Sequence, residues 1–400
     1  MPDRTSEGPD PRLPDFSLAE GGALDRFLRW ARLSAGISGQ AKLRMTVIAL
    51  LAWLPLLLLS AADGSLLGVG MSVPFLMDVE VHVRLLVALP LLIFAEVEVH
   101  RRIPPLLRQF PQRGLIPGAS IESFEAAVLS ARRLRDSVLA EALLICAVYG
   151  FGIFVIWRNY VALDTDTWYA TVSPEGVKLT LAGMWYAFVS VPIFQFLLLR
   201  WYFRLFVWAR LLWQVSRIRL LLITAHPDRS GGLGFLSTVG YAFGMLALAH
   251  GALAAGHFAS LIFYDGAALP DFAVAIVLLV VVMLCLVLVP LLVFSPQLAD
   301  LRQQGLLRYG ALADRYVREF EAKWLSDGAP DDATLLGSGD VQSLADMGGS
   351  YEIVQSMRVA PITKQAILRV VMATLLPILP LSLTMVSFDE FLKGLVGLVF

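Results

Sequence analysis

One tetrapeptide, Val-Glu-Val-His, occurs twice, at 79–82 and at 97–100, and each histidine has a carboxylate four residues before it: Asp78 before His82 and Glu96 before His100. On a helix each such pair shares a face. About five helical turns, roughly 27 Å, separate the two histidines, which is close to the thickness of a bilayer's hydrocarbon core. A carboxylate beside an imidazole that titrates near neutrality, at each mouth of one span, is the residue set of a proton or cation path. Polar residues that merely anchor the two ends of a span give the same pattern. Glu141, His250 and His257 also fall within apolar runs. Ionisable groups there must face protein, water or a counter-charge, which for Glu141 means Arg200 or Arg204. Small residues crowd the two histidines, and Gly240 with Gly244 has the GxxxG spacing of closely packed helices, so His250 and His257 are expected to face the bundle interior. The expected intramembrane polar pathway is therefore Glu96, His100, Glu141, His250 and His257. Glu96 is its inner gatekeeper, and Glu98, about 200° around the helix, stands off it. Structural hydrogen bonding of the same groups is the alternative.

The second constellation is the loop "HPDRSGGLGFL", residues 226 to 236. Its His-Pro-Asp invites comparison with the J-domain co-chaperones, where that tripeptide joins two soluble charged helices. Here an apolar run follows, which excludes that reading. Gly231, Gly232 and Gly234 offer backbone N–H groups at the entry to a helix, whose N-terminus favours anions, and Arg229 adds a full positive charge. A phosphate, a lipid headgroup or an acidic side chain of the chain itself would fit among His226, Asp228, Arg229, Gly231 and Gly232. The competing reading is a sharp turn with Asp228 or Ser230 as helix cap. A metal on His226 and Asp228 would need ligands from elsewhere. The sequence has no Walker loop, HExxH, GxSxG or paired-cysteine motif, so it marks no enzyme class and assigns no cofactor. Cys146 and Cys285 lie in apolar runs, where buried small hydrophobes rather than a disulfide or zinc site are expected.

The elements that must position these residues follow from hydropathy. With 57% hydrophobic residues over 400 positions and a mean hydropathy of +0.70, the chain has more apolar surface than an ordinary soluble core hides. Windows of span length lie at about 45–62, 84–100, 137–157, 180–199, 236–263, 272–294 and 366–386. The expected fold is an all-α membrane protein, a bundle of about seven transmembrane helices with a small cytosolic helical hairpin. Arg and Lys crowd the segment before the first window and the second, fourth and sixth connections, and are scarce in the others. This places the N-terminus inside and the C-terminus outside.

The chain divides into a disordered tail (1–20), a membrane domain with six spans and surface amphipathic helices (21–294), a cytosolic helical connection (295–365), and a seventh span with a periplasmic end (366–400). The tail has no apolar h-region, so no signal peptide is expected. Leu24, Phe27, Leu28 and Ala31 oppose Arg26, Arg29 and Arg32 on one short helix, as on a membrane surface. The tryptophan- and arginine-rich stretch after the fourth window is expected to leave the span and lie along the inner surface, and its arginine spacing excludes a voltage sensor. In the connection, Tyr309, Tyr316, Phe320 and Trp324 make a stripe at helical steps, which packs on its own hairpin or offers a subunit interface or a cofactor groove.

Taken together, "HPDRSGGLGFL" and "GSGDVQSLADMGGSYEIVQSMRVAP" resemble a group of bacterial polytopic inner-membrane proteins of unassigned function, over most of the chain beyond the tail. The resemblance implies a bacterial cytoplasmic membrane and supplies no activity. Three classes of function stand: permeation or transport of a small ion or solute, a non-catalytic scaffold or sensor acting through the hairpin, and a membrane enzyme acting on lipid headgroups. Membrane lipids, including anionic headgroups, and a second copy of the chain are the expected partners. Nucleic acid is not.

Overall fold

The computed structural model describes residues 16–19, 21, 39–67, 73–152, 167–173, 176–325 and 338–385. The surface helix expected over residues 24–32, the acidic break at 326–337 and the end of the chain from 386 lie outside the described residues.

In chain order the helices are α1 (Gly39–Ala62), α2 (Val79–His82), which runs through a π-helical segment (Val83–Ala88) into α3 (Leu89–Gln112), then α4 (Ile121–Arg135) and α5 (Val138–Ala147). A ribbon of β1 (Ala170–Ser173) and β2 (Gly176–Leu179) precedes α6 (Leu181–Trp185), a second π-helical segment (Tyr186–Ser190) and α7 (Val191–Ser216). After the polar loop come α8 (Val239–Ala242), α9 (Gly244–Tyr264), α10 (Ala273–Leu288), α11 (Ser295–Trp324), α12 (Gly339–Gln355) and α13 (Lys364–Leu375).

Among the described residues four helical stretches are long and apolar enough to cross a membrane: Lys42–Ala62, Leu181–Ser216, Gly244–Tyr264 and Leu269–Trp324. A fifth results if α13 and Leu379–Met385, bent by 54°, count as one span. Exposed side chains such as Leu50, Leu54 and Leu58 of α1 and Val274, Val277 and Leu278 of α10 are a heavy apolar load for a water-facing surface and suit lipid. The architecture is helical and compatible with a membrane location. Two expected windows are not among the spans. The one at 84–100 carries Arg84, Glu96 and Glu98. In the one at 137–157 the described helix is short, Val138–Ala147 with a π-helical end at Val148–Gly152.

Four local expectations are corrected. An all-helical reading misses the antiparallel ribbon, in which Val172 pairs with Val177 and β-branched residues favour the pleat. The stretch after residue 200 does not turn off along a surface: α7 is continuous to Ser216, with Trp201 and Trp208 in the core. Cys146 and Cys285 are exposed on their apolar helices rather than buried. Gly240 and Gly244 do not act as a pair, because the helix breaks at Phe243 and Gly244 has open space around it.

The close approaches lie further along α9. A Cβ on Gly251 would sit 2.1 Å from the Thr374 carbonyl oxygen of α13, and one on Gly256 would sit 2.9 Å from Val83. Backbone contact of this kind is how helices associate where no water drives them together. At the far end of α3, Phe110 packs against Phe124, Phe235 and Phe294, joining α3, α4, the polar loop and the approach to α11.

Beyond this aromatic knot α11 and α12 run antiparallel as a stalk. Gly305 lies against Val354 and Gly310 against Tyr351. At the tip Tyr316 and Trp324 both hydrogen-bond Asp340, whose carboxylate also takes Lys323 at 2.6 Å. Part of the aromatic stripe is therefore spent on the hairpin's own packing.

Candidate functional site

Glu96, on α3, is 7% exposed, and its carboxylate meets three guanidinium groups: Arg204 at 2.8 Å and Arg200 at 3.2 Å from α7, and Arg44 at 2.9 Å from α1. Arg200 and Arg204 are one helical turn apart and present one face to α3. Arg200 also approaches Glu141 of α5 at 4.0 Å, the counter-charge expected for Glu141. Burying so many charges is tolerable only where they are paired, and hydrogen bonds from Arg200 and Arg204 add to the pairing. Further guanidinium protons go to a strap formed by the chain's own residues 16–19 and Gly21. Arg204 donates to the Ala19 carbonyl at 2.5 Å, Arg200 to the Gly21 carbonyl at 2.9 Å, and Arg135 of α4 to the Ser17 carbonyl. Ser17 Oγ lies 2.7 Å from His100 Nδ1, and Phe16, Leu18 and Ala19 are buried. Residues 16–19, inside the tail expected to be disordered, are thus packed.

The carboxylate–histidine couples read from the sequence are not formed. Asp78 sits at the N-cap of α2, where its carboxylate accepts from Val81 N–H at 3.0 Å and from Trp168 Nε1 at 2.9 Å. His82 accepts from Trp53 Nε1 at 2.9 Å, so its Nδ1 carries no proton. Glu96 turns to its arginines and His100 to the strap. The other pathway residues are dispersed as well. His250 Nδ1 lies 2.8 Å from the Leu246 carbonyl, which can only accept, so this nitrogen donates and Nε2 accepts from Tyr202 of α7 at 2.8 Å. His257 is half exposed and pairs with Glu80 at 3.1 Å. Glu98 pairs with Arg101 and Arg102 of its own helix at 2.9 and 2.7 Å. Glu96 and Glu141 are brought together through Arg200, whereas His100, His250 and His257 each bind elsewhere.

Sequence reasoning missed a polar group at the ribbon end. Arg84 hydrogen-bonds Glu80 and Tyr186, so two π-helical segments are bridged by their own residues, and Phe75, His82, Trp168 and Tyr169 pack edge to face around them. π-Helical turns recur at functional sites. The available signal was Arg84, a lone cation in an apolar run with Glu80 one turn before it.

The polar loop holds an anion, and the anion is its own. Asp228 Oδ1 accepts from Ser230 N–H at 2.8 Å and Gly232 N–H at 3.2 Å, and Oδ2 accepts from Gly234 N–H at 2.7 Å. His226 Nδ1 lies 2.9 Å from the same carboxylate. This wrap needs left-handed backbone at Arg229, Gly231 and Gly232 (φ 53°, 64° and 97°), which glycine adopts freely and arginine does not. Burial pushes the carboxyl's pKa up, but the N–H groups of Ser230, Gly234 and Gly232, with His226, outweigh it and hold the group below the usual carboxylate range. The glycine N–H groups expected to receive a phosphate are thus occupied from within. Arg358 fastens the loop to the chain after α12, donating from its side chain to the Asp228 carbonyl at 2.6 Å and from its backbone to the Arg229 carbonyl at 2.8 Å. Gln297 on α11 reaches the Ser216 and Ile218 carbonyls at 2.6 and 3.0 Å.

Among the described residues no group of three or more His, Cys, Asp and Glu side chains is placed to hold a metal ion. No family profile, curated protein or solved structure matches the chain.

Proposed function

We propose that this is an integral protein of a bacterial cytoplasmic membrane that works as a non-catalytic scaffold or sensor, with the α11–α12 stalk as its cytosolic output. The observation that carries this reading is the coupling of stalk to bundle. The helical run Leu269–Trp324 is continuous from an apolar stretch into the stalk, and the base of the stalk is clamped to the end of α7 by Gln297 and to the polar loop by Arg358. A rearrangement among the membrane helices is thereby passed to the stalk as a change of angle. The alternation of arginine along the sequence supports an inside N-terminus and an inside stalk.

Spin labels on Gln112→Cys and Ala322→Cys, with Cys146 and Cys285 replaced by serine, test the coupling. A narrow distance distribution that broadens in Arg358→Ala and in Asp228→Ala supports it. A distribution unmoved by either change removes the clamp and the reading with it.

Permeation of a small ion or solute is the second reading, favoured by charged groups at depth in the bundle, Glu96, Glu141, Arg200 and Arg204. Against it, a proton arriving at Glu96 must break contacts with three arginines. Ion flux into proteoliposomes that vanishes in Glu96→Gln while the protein stays folded would move the weight to transport.

A further inference from the structure

With the loop's N–H groups taken by Asp228, the arginines that remain without an acidic partner matter more. Where α7 ends, an open cleft of about 540 Å³ lies between α7 and α4, with Ser120, Ser123, Gln214, Arg217 and Arg219 on its polar wall. Ala126 and Ile218 are among its apolar lining. Among the described residues neither Arg217 nor Arg219 has an acidic partner, and both are exposed. The acidic side chains of α4, Glu122 and Glu125, are not in the lining. Arg217 also lies over the Trp213 ring, 5.2 Å from its centroid.

The position adds the second half of the argument. The cleft opens at the end of a helix apolar enough to cross a membrane, and the outward face of that helix below it carries exposed Phe206 and Trp213. Tryptophan and arginine together mark headgroup depth. A group that fits is anionic and compact, carries several acceptor oxygens for two guanidinium forks and two hydroxyls, and continues into apolar chains that lie along α7.

We propose that this cleft binds a phosphate group, with an anionic phospholipid as its membrane source and inorganic phosphate as its soluble one. The site is separate from the Asp228 loop and does not depend on whether the protein signals or transports.

The test uses the full chain in phosphatidylcholine nanodiscs, with thermal unfolding as readout, titrated with phosphatidylglycerol in one arm and inorganic phosphate in the other. Stabilisation of the wild type by phosphatidylglycerol, with the half-point raised roughly tenfold or more in R217E/R219E, supports a lipid site. The same pattern with inorganic phosphate alone supports a soluble ligand in the same cleft. Ala126→Trp, which fills the cleft without changing charge, abolishes the response in either case and serves if the double variant does not fold. R315E/R318E, the same charge change on the stalk, retains it. Equal responses in wild type, R217E/R219E and Ala126→Trp overturn the proposal, as does an equal loss in R315E/R318E.

Discussion

At 79–82 the sequence Val-Glu-Val-His puts Glu80 between Arg84 and His257 and lets His82 accept from Trp53. At 97–100 the same four residues put Glu98 against Arg101 and Arg102 and His100 against Ser17. One copy is built into an aromatic cluster whose members come from distant parts of the chain. The other has its glutamate bound to two arginines of its own helix and its histidine to the strap. The residue that matters most near the second copy lies just outside it, since Glu96 gathers three arginines from two other helices. Spacing along a helix thus tells which residues share a face, but not what stands opposite that face.

The sharpest way to break this comparison is Glu96→Gln, which leaves Arg44, Arg200 and Arg204 buried without their shared carboxylate. A loss of about 3–5 kcal/mol is expected, measured by denaturant unfolding in detergent. A loss no greater than that of Glu98→Gln would show that the two carboxylates have equivalent surroundings after all.

Asp228→Asn comes next, at about 2 kcal/mol, because three backbone N–H groups lose a charged acceptor. Its pH dependence gives an independent check. The folded carboxyl titrates below its unfolded value, so its contribution is complete above about pH 4 and is lost as the pH falls through the folded value. The wild type should lose stability over that acid interval relative to Asp228→Asn, and parallel acid curves for the two would contradict the wrapped carboxylate.

His82→Ala should cost about 1–2 kcal/mol by leaving Trp53 Nε1 without its acceptor. His100→Ala should instead show itself as faster proteolysis near Phe16 with little change in global stability. If His82→Ala frees the strap as well, the two ends of the long helix are coupled and the contrast between them fails. The smallest effect, about 1 kcal/mol, is expected for Glu98→Gln, whose arginine partners lie on its own helix and keep 62% and 37% of their side-chain surface in solvent, where the pairing is screened.

Much of the helical framework was legible because a run of apolar residues has few other uses. The counter-charge of Glu141 was legible for a similar reason, since a carboxylate at depth has few places to go. The polar loop was half legible: three glycines and a His-Pro-Asp announce a turn that gathers N–H groups, but the occupant, Asp228, was one of several anions that fit. The strap of residues 16–19 and Gly21 gave no signal. It binds mainly through backbone carbonyls, and any residue has those. The course of α7 past Arg200 was misjudged because arginine and tryptophan also mark a membrane surface, and only the three-dimensional arrival of Glu96 makes burial affordable.

The ion cluster has a consequence for the order in which the chain is made. Arg44 and Glu96 leave the ribosome before Arg200 and Arg204, which lie more than a hundred residues later than Glu96. For that interval of synthesis Glu96 has at most one of its three cations, and the strap carbonyls at Ala19 and Gly21 have no arginine of α7 to receive them. An earlier-made part of the nascent protein is therefore completed by a later one. The Asp228 wrap, by contrast, closes within a few residues of its own making.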